Sequence, residues 1–364
     1  MFISNILTEN FRNLKKIDIE LNNGINIFYG NNAQGKTNII ESIYICATGR
    51  SHRTKIDNRL INFDKKECHI RIFCNKNNMD NRVDLHIKKD EKKGIAINGF
   101  VVKKIGDLFG TIITVIFSPE DLSIIKNSPS EKRRFLDIEL CQINNIYYYN
   151  LKQYYKILKQ RNTLLKEIKK DSSLKETIFI WDNQLLEYGK KIILARKDFI
   201  YKLNKIAFIK HKKITGGNEN LILEYKPDCT IDVFKQKLLK NIEKDIFYGN
   251  THFGPHKDDI IFKINNNDVK LFGSQGQQRT VALSLKLAEI DLIESEIGEK
   301  PIVLLDDVFS ELDGLRQKFL IEAITDTQVI ITCTGIEDIL NTYIKNSYIF
   351  YVENGNIINK KVDF

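Results

Sequence analysis

The spacing of apolar residues changes repeatedly along this chain. Residues 2 to 7, 17 to 21 and 25 to 29 form short apolar or alternating runs, with Asn23-Gly24 between the last two. Alternation with period two marks half-buried strands, and Asn-Gly supplies a turn. The apolar positions of "TNIIESIYICAT", which follows, fall at helical spacing. Residues 68 to 117 return to strand patterns in "CHIRIFC", "RVDLHIKK", "GIAING" and "TIITVIF", and the charged and Gly/Asn punctuation between them suits an antiparallel sheet. From about 119 to 213 the spacing is three and four, as in "SPSEKRRFLDIELCQI", "YYYNLKQYYKILKQRNTLLKEIKK" and "WDNQLLEYGKKIILARKDFIYKLNKIAFI". Such runs, nearly free of Gly and Pro, predict long helices. "LILEYKP" reads as a strand, and strands and helices resume from 258, ending in "PIVLLD", "QVIITC" and "YIFYVENGNI". Those last apolar runs predict strands buried on both faces.

The patterns predict an α/β protein in two parts: a domain made of residues 1–118 and 251–364, and an inserted, mainly helical, basic lobe over 119–250. A chain of 364 residues is long enough for two such cores. It shows no fixed-period repeat or low-complexity run. Six cysteines occur, none in a CxxC pair, which reads as reduced thiols and a cytoplasmic location. The first residues lack an apolar secretory core, and no run reaches the length of a membrane span.

Charge alters the picture in one place. The net charge is +9, yet residues 151–213 alone hold 17 Lys or Arg against 6 Asp or Glu, so the remainder is slightly acidic. A local basic face suits a polyanion such as DNA. A solvated helical surface in a lysine-rich chain explains the same count, and charge alone leaves both readings open.

The chemistry centres on "GNNAQGKT", Gly30 to Thr37. Gly30 and Gly35 let the backbone turn so that N–H groups face a phosphate, aided by the helix that starts there. Lys36 suits the β- and γ-phosphates of ATP, and the Thr37 hydroxyl suits Mg²⁺. The loop follows an apolar strand and opens a helix, the context this motif requires. Downstream, "PIVLLDDVFSELD" ends a buried strand in Asp306, placed for Mg²⁺, and Asp307, placed to polarise water. A strand ending in a plain solvated turn is the bland alternative. In "LFGSQGQQRTVALSLKLAEIDLI", Ser274 and Gly276 open an amphipathic helix, which is either a simple cap or an anion site.

The order of these blocks resembles the Rad50/SMC-like ABC-type ATPase head. "TENFRNL", "GNNAQGKTNIIESIY", "FSPEDLSIIKNSPSEKRRFLD", "THFGPHKDDI", "GSQGQQRT" and "VLLDDVFSELD", spread over nearly the whole chain, are similar to the RecF family of recombination-mediator ATPases. The resemblance implies a P-loop ATPase head with an inserted helical lobe, acting as an ATP-dependent clamp on duplex or gapped DNA. It implies an ATP-induced homodimer, recombinase loading with RecR-type and RecO-type partners, and links to replication and the SOS response. Carried onto this chain, Gly30, Asn31, Asn32, Ala33, Gln34, Gly35, Lys36 and Thr37 would bind ATP and Mg²⁺. Arg12 and Asn32 would meet phosphate oxygens. Ser274, Gly276 and Gln277 would reach the γ-phosphate held by a partner copy, and Asp313 would lie at that interface. Asp306 would serve Mg²⁺ and Asp307 the hydrolytic water.

Departures shape the expectation. Asp307 stands where related heads carry Glu and reaches about one methylene less, so hydrolysis is expected to be slow; that DNA stimulates it is part of what the resemblance implies. Cys333 and Thr334 occupy the place of a switch histidine, and Glu120 the region of the usual glutamine loop. Lys257 in "GPHKDD" stands where the family's Arg is expected, giving up a bidentate contact. A nucleotide-gated scaffold with incidental DNA binding is the alternative. A nuclease-linked ATPase of the overcoming-lysogenisation type would need a C-terminal acidic metal domain, which residues 336 to 364 do not offer. His252 and His256 lack an evident third metal ligand, the tyrosines of "IYYYNLKQYYKIL" suit helix packing or base stacking, and Arg133 and Arg134 either meet DNA or pair with Glu131 and Asp137.

Overall fold

The computed structural model describes residues 1–335 and 347–363. Residues 336–346, part of the stretch in which an acidic metal domain was sought, lie outside the described residues. The chain divides into two compact units, Met1–Asp121 with Leu283–Phe364, and Leu122–Ala282.

The first unit contains two six-stranded sheets. One is antiparallel, in the order Leu14–Glu20, Phe2–Phe11, Glu67–Lys76, Met79–Lys88, Gly94–Ile97 and Phe100–Val101. Its strands alternate as the period-two pattern requires: Glu67–Lys76 buries Cys68, Ile70, Ile72 and Cys74 on one face. The other sheet runs Asn356–Asp363, Ser347–Glu353, Ile25–Tyr29, Val329–Cys333, Ile302–Asp306 and Thr114–Phe117. Its strands pair in parallel except for the last hairpin, Ser347–Glu353 with Asn356–Asp363. Ile302–Asp306 and Val329–Cys333 are buried at every position, as expected of central parallel strands. The helix Lys36–Thr48 gives Ile39, Ile40 and Ile43 to a core shared with Ile6 and Ile70 of the first sheet and Phe28, Leu304 and Phe350 of the second.

Two sequence readings change. "TIITVIF" does not join the antiparallel sheet; Thr114–Phe117 pairs in parallel with Ile302–Asp306, and all four of its residues are buried. A short continuous apolar run fits a two-faced strand better than an alternating one. "YIFYVENGNI" is a hairpin whose turn lies at Asn354 and Gly355.

The second unit holds the helices Pro129–Ile143, Asn145–Ile168 and Ile178–Ile214, with a three-stranded sheet of Leu221–Lys226, Asp259–Ile264 and Asn267–Asp268. Its boundary with the first unit falls after Ala282, where the sequence reading placed the change at 250/251. Residues 251–282 stay with the helices because their polar groups satisfy buried arginines. Thr251 Oγ1 accepts from Arg161 Nη1 at 2.7 Å, and Asp258 Oδ2 accepts from Arg196 Nη1 at 2.8 Å. Asp259–Ile264 also pairs antiparallel with Leu221–Lys226.

Candidate active site

The strand Ile25–Tyr29 runs straight into the Gly30–Gly35 turn, and the helix Lys36–Thr48 begins directly after it. Gly30 and Gly35 have φ of 149° and 113°. A Cβ on Gly30 would stand 2.4 Å from Val352 O, and one on Gly35 2.7 Å from Asn13 Oδ1, so both positions exclude a side chain. The loop is tied from two sides. Asn13 Nδ2 donates to Ala33 O at 3.3 Å; Asn354 N donates to Gln34 Oε1 at 2.6 Å, and Gly355 N to Gln34 O at 3.0 Å. Asn31, Asn32 and Ala33 remain exposed at its crest. Lys36 Nζ donates to Gly30 O and Asn31 O, both at 2.7 Å. Burial lowers the Lys36 pKa, opposed by the nearby Asp307, Cys333 and Asp306.

Sheet register brings the acids to this loop. Asp306 pairs with Thr332, and Thr332 with Phe28, on three adjacent parallel strands. Their C-terminal ends therefore lie beside the loop, where open α/β sheets bind ligands. Thr37 Oγ1 and Thr332 Oγ1 both donate to Asp306 Oδ1 at 2.8 Å. Burial raises the Asp306 pKa, and the two hydroxyls oppose it. Two hard oxygen ligands, one of them a buried carboxylate, suit Mg²⁺, which prefers few carboxylates plus substrate phosphate. Asp307 has φ 53°, held by its N–H donating to Thr332 O at 3.2 Å and Oγ1 at 3.1 Å. A left-handed non-glycine residue costs on the order of 1 kcal/mol and is typical of functional turns.

Arg12, expected to meet phosphate, is positioned beside the loop by protein groups. Its Nε and Nη2 form a fork on Glu41 at 2.9 and 2.8 Å, and Nη1 donates to Arg59 O at 2.9 Å. Glu41 is fully buried and also accepts from Ser51 Oγ and from Arg53 Nη1 at 3.3 Å. Burial alone would raise the Glu41 pKa; the bonds from Arg12 and Ser51 and the charges of Arg12 and Arg53 outweigh it and hold the group below the usual carboxylate range. A buried carboxylate demands such counter-charge, which Arg12 supplies. Arg53 also donates to Asn38 Oδ1 at 2.9 Å. Glu120 follows the strand beside Asp306; burial and the Asp306 charge raise its pKa, with Arg53 opposing.

Ser274, Gly276 and Gln277 lie in the helical unit, at the exposed start of the helix Gln275–Ile297. Ser274 and Gln277 form a reciprocal cap: Gln277 N donates to Ser274 Oγ at 3.2 Å and Ser274 N to Gln277 Oε1 at 2.9 Å. Leu271 and Phe272, just before it, are exposed apolar residues. Asp313 caps the helix Gly314–Ala323, accepting from Arg316 N at 3.0 Å. In the unit Leu122–Ala282, Arg134 pairs with Glu131 at 3.8 Å, and Arg133 donates to Asp258 O at 2.7 Å. His256 bonds Tyr154 Oη and Thr251 O, and His252 bonds Asp245, so both histidines have structural partners. Tyr147 and Tyr154 are buried, while Tyr149 and Tyr155 are exposed.

Sequence reasoning missed Asn13, Asn38, Arg53 and Thr332. Asn13 was visible as part of "TENFRNL" but has no chemistry until the fold sets it against the loop. Thr332 was passed over for its neighbours Cys333 and Thr334, although strand pairing aims its hydroxyl at Asp306.

The loop, buried acidic strand and separate serine-capped helix define an ABC-type ATPase head of the SMC class. Residues 2–357 match the RecF/RecN/SMC N terminal domain family. A solved Smc head domain from Pyrococcus furiosus shares the fold, with a TM-score of 0.56 at 16% identity over 99% of this chain and 95% of that one. Nearer relatives narrow the class. The DNA replication and repair protein RecF of Lachnospira eligens is 50% identical over 362 residues, covering 99% of this chain and 100% of that one. That of Clostridium tetani is 46% identical, over 98% and 100%. A structure of the recombination mediator protein RecF-ATP in the RecFOR pathway superposes with a TM-score of 0.93 at 36% identity, over 99% and 97%. The chain belongs to the RecF family of ABC-type ATPases.

Proposed function

We propose that this chain is an ATP-dependent DNA clamp of recombinational repair, with slow, DNA-stimulated hydrolysis. The observation that carries the reading is the Thr37–Asp306 pair at 2.8 Å, beside a loop whose lysine caps its own carbonyls. ATP phosphates would bind the N–H groups of Gly30 to Thr37, with Lys36 on the outer phosphates. Thr37 and Asp306 would hold Mg²⁺, which when bound neutralises charge on the phosphates. Asp307 would orient the attacking water; its short side chain supports slow turnover. Arg12 keeps Glu41 and Arg53 in register beside the loop. Ser274, Gly276 and Gln277 would meet the γ-phosphate of a partner copy, and Asp313 would face that interface. Relatives named for DNA repair and for the RecFOR pathway support DNA and RecR-type and RecO-type partners, and duplex or gapped DNA is the form this reading assigns. A role in replication and the SOS response and a cytoplasmic location belong to the same reading; among the described residues no helix is long and apolar enough to cross a membrane.

Duplex-DNA affinity measured against salt, with and without ATP, tests the clamp. ATP is expected to tighten binding and leave a steep salt dependence. Unchanged affinity with ATP, or a flat salt response, would favour a nucleotide-gated scaffold.

A further inference from the structure

The outward face of the antiparallel sheet carries a cluster that the nucleotide chemistry does not use. Glu67 and His69 lie on the strand Glu67–Lys76 and His86 on Met79–Lys88. His69 and His86 stand directly opposite in register. Cross-strand partners on one face hold their Cβ atoms about 4.5–5.5 Å apart, a spacing that lets two imidazoles reach one point. Here the rings stack with centroids 3.8 Å apart, and His86 Nε2 lies 3.0 Å from Glu67 Oε2. One ligand atom from each of the three residues lies within 4.8 Å of the other two. Donors on a tetrahedral zinc stand about 3.3 Å apart, given bonds of about 2.0–2.1 Å, so the set needs side-chain shifts of at most about 1.5 Å per pair. The strands beneath pair without interruption from Glu67 with Lys88 to Lys76 with Met79, so the framework is fixed.

We propose that Glu67, His69 and His86 bind a late first-row divalent cation, Zn²⁺, with a fourth position left to water. Two imidazoles and a carboxylate are the donors such ions select. Surrounding charge permits it. Glu9 faces His69 from the neighbouring strand Phe2–Phe11, while Arg71 and Arg82 are both engaged by Asp84. Lys88 stands 4.0 Å from Glu67 as the opposing cation. Burial and the His86 ring push the His69 pKa down, and the hydrogen bond from His86 holds Glu67 low. The nearest thiols do not compete. Cys68 and Cys74 are buried on the opposite face, where burial pushes each up to about 12. The ion would cross-link two adjacent strands of the antiparallel sheet, whereas the nucleotide loop follows a strand of the other sheet.

The test uses the full chain, stripped with a chelator, free of nucleotide, and titrated with Zn²⁺ against a chromophoric competitor. One tight equivalent per chain and a higher melting temperature with Zn²⁺ are expected. His69→Gln and His86→Gln should each weaken binding by at least the ~10–100-fold that loss of even an outer-shell partner costs. Circular dichroism matching the parent chain keeps the variants interpretable, since all three side chains point outward. Equal zinc in the parent and in the double histidine variant, or none in either, overturns the site.

Discussion

The nucleotide loop and the inserted helical unit both bury cations near carboxylates, but they finish the job differently. In the helical unit, Arg161 donates to Asp182 and Asp245 at 2.6 and 2.8 Å, and Arg196 to Asp137 and Asp258, both at 2.8 Å. Each guanidinium is paired with two acids inside the protein. At the loop, Lys36 is held by backbone carbonyls and Asp306 by two neutral hydroxyls. Those partners keep the groups in place without neutralising them, so a ligand and its metal can supply the missing charge. The contrast also corrects how the basic stretch 151–213 is read. Both of its arginines are structural, and the surface charge left for a polyanion is lysine.

Four measurements separate paired charges from unpaired ones. Arg196→Ala strands Asp137 and Asp258, and should cost about 3–5 kcal/mol in chemical denaturation. A cost below about 1 kcal/mol would mean the helical unit is not held by its ion network. Lys36→Met should lower ATP affinity at least ~100-fold, about 2.7 kcal/mol, with little change in melting temperature. A matching fall in stability would make Lys36 structural too. Glu41→Gln weakens the Arg12 fork and should cost about 1–3 kcal/mol, visible as a lower melting temperature. An unchanged melting temperature would remove the fork from what holds the loop.

The smallest effect is a difference in pH response. Glu41 has a depressed folded-state pKa, so its contribution is present above its unfolded value near 4.5 and is lost as pH falls through the lower folded value. Asp306 has a raised pKa, so its contribution is fully present below about 3.8 and is lost as pH rises through the higher folded value. Asp306→Asn should therefore be at least as stable as the parent at pH 7, with the gap closing toward pH 4. Glu41→Gln should show the reverse, its deficit shrinking as acid protonates Glu41 in the parent. Parallel pH profiles for the two variants would refute the assignment of opposite roles.

How much of this was legible in the sequence follows from how local each feature is. Gly30, Gly35, Lys36 and Thr37 lie within eight residues, so their spacing alone picked out the loop between the strand Ile25–Tyr29 and the helix Lys36–Thr48. Asp306 was legible because a wholly buried strand must end somewhere polar. The boundary after Ala282 was not, because it depends on Thr251 and Asp258 meeting arginines 90 and 62 residues away. Glu41 sat unnoticed within a helical pattern; only the fold shows that it is buried and that it claims Arg12. "TIITVIF" was too short for its period to separate a two-faced strand from a one-faced one.

On the proposed reading the loop is one half of a site completed by a second copy. Sedimentation of the chain with ATP, with ADP and without nucleotide, run beside Ser274→Arg, decides this. ATP alone should double the mass of the parent, while Ser274→Arg should still bind ATP and remain a monomer. A parent mass indifferent to ATP, or normal ATP-driven dimers of Ser274→Arg, would contradict it.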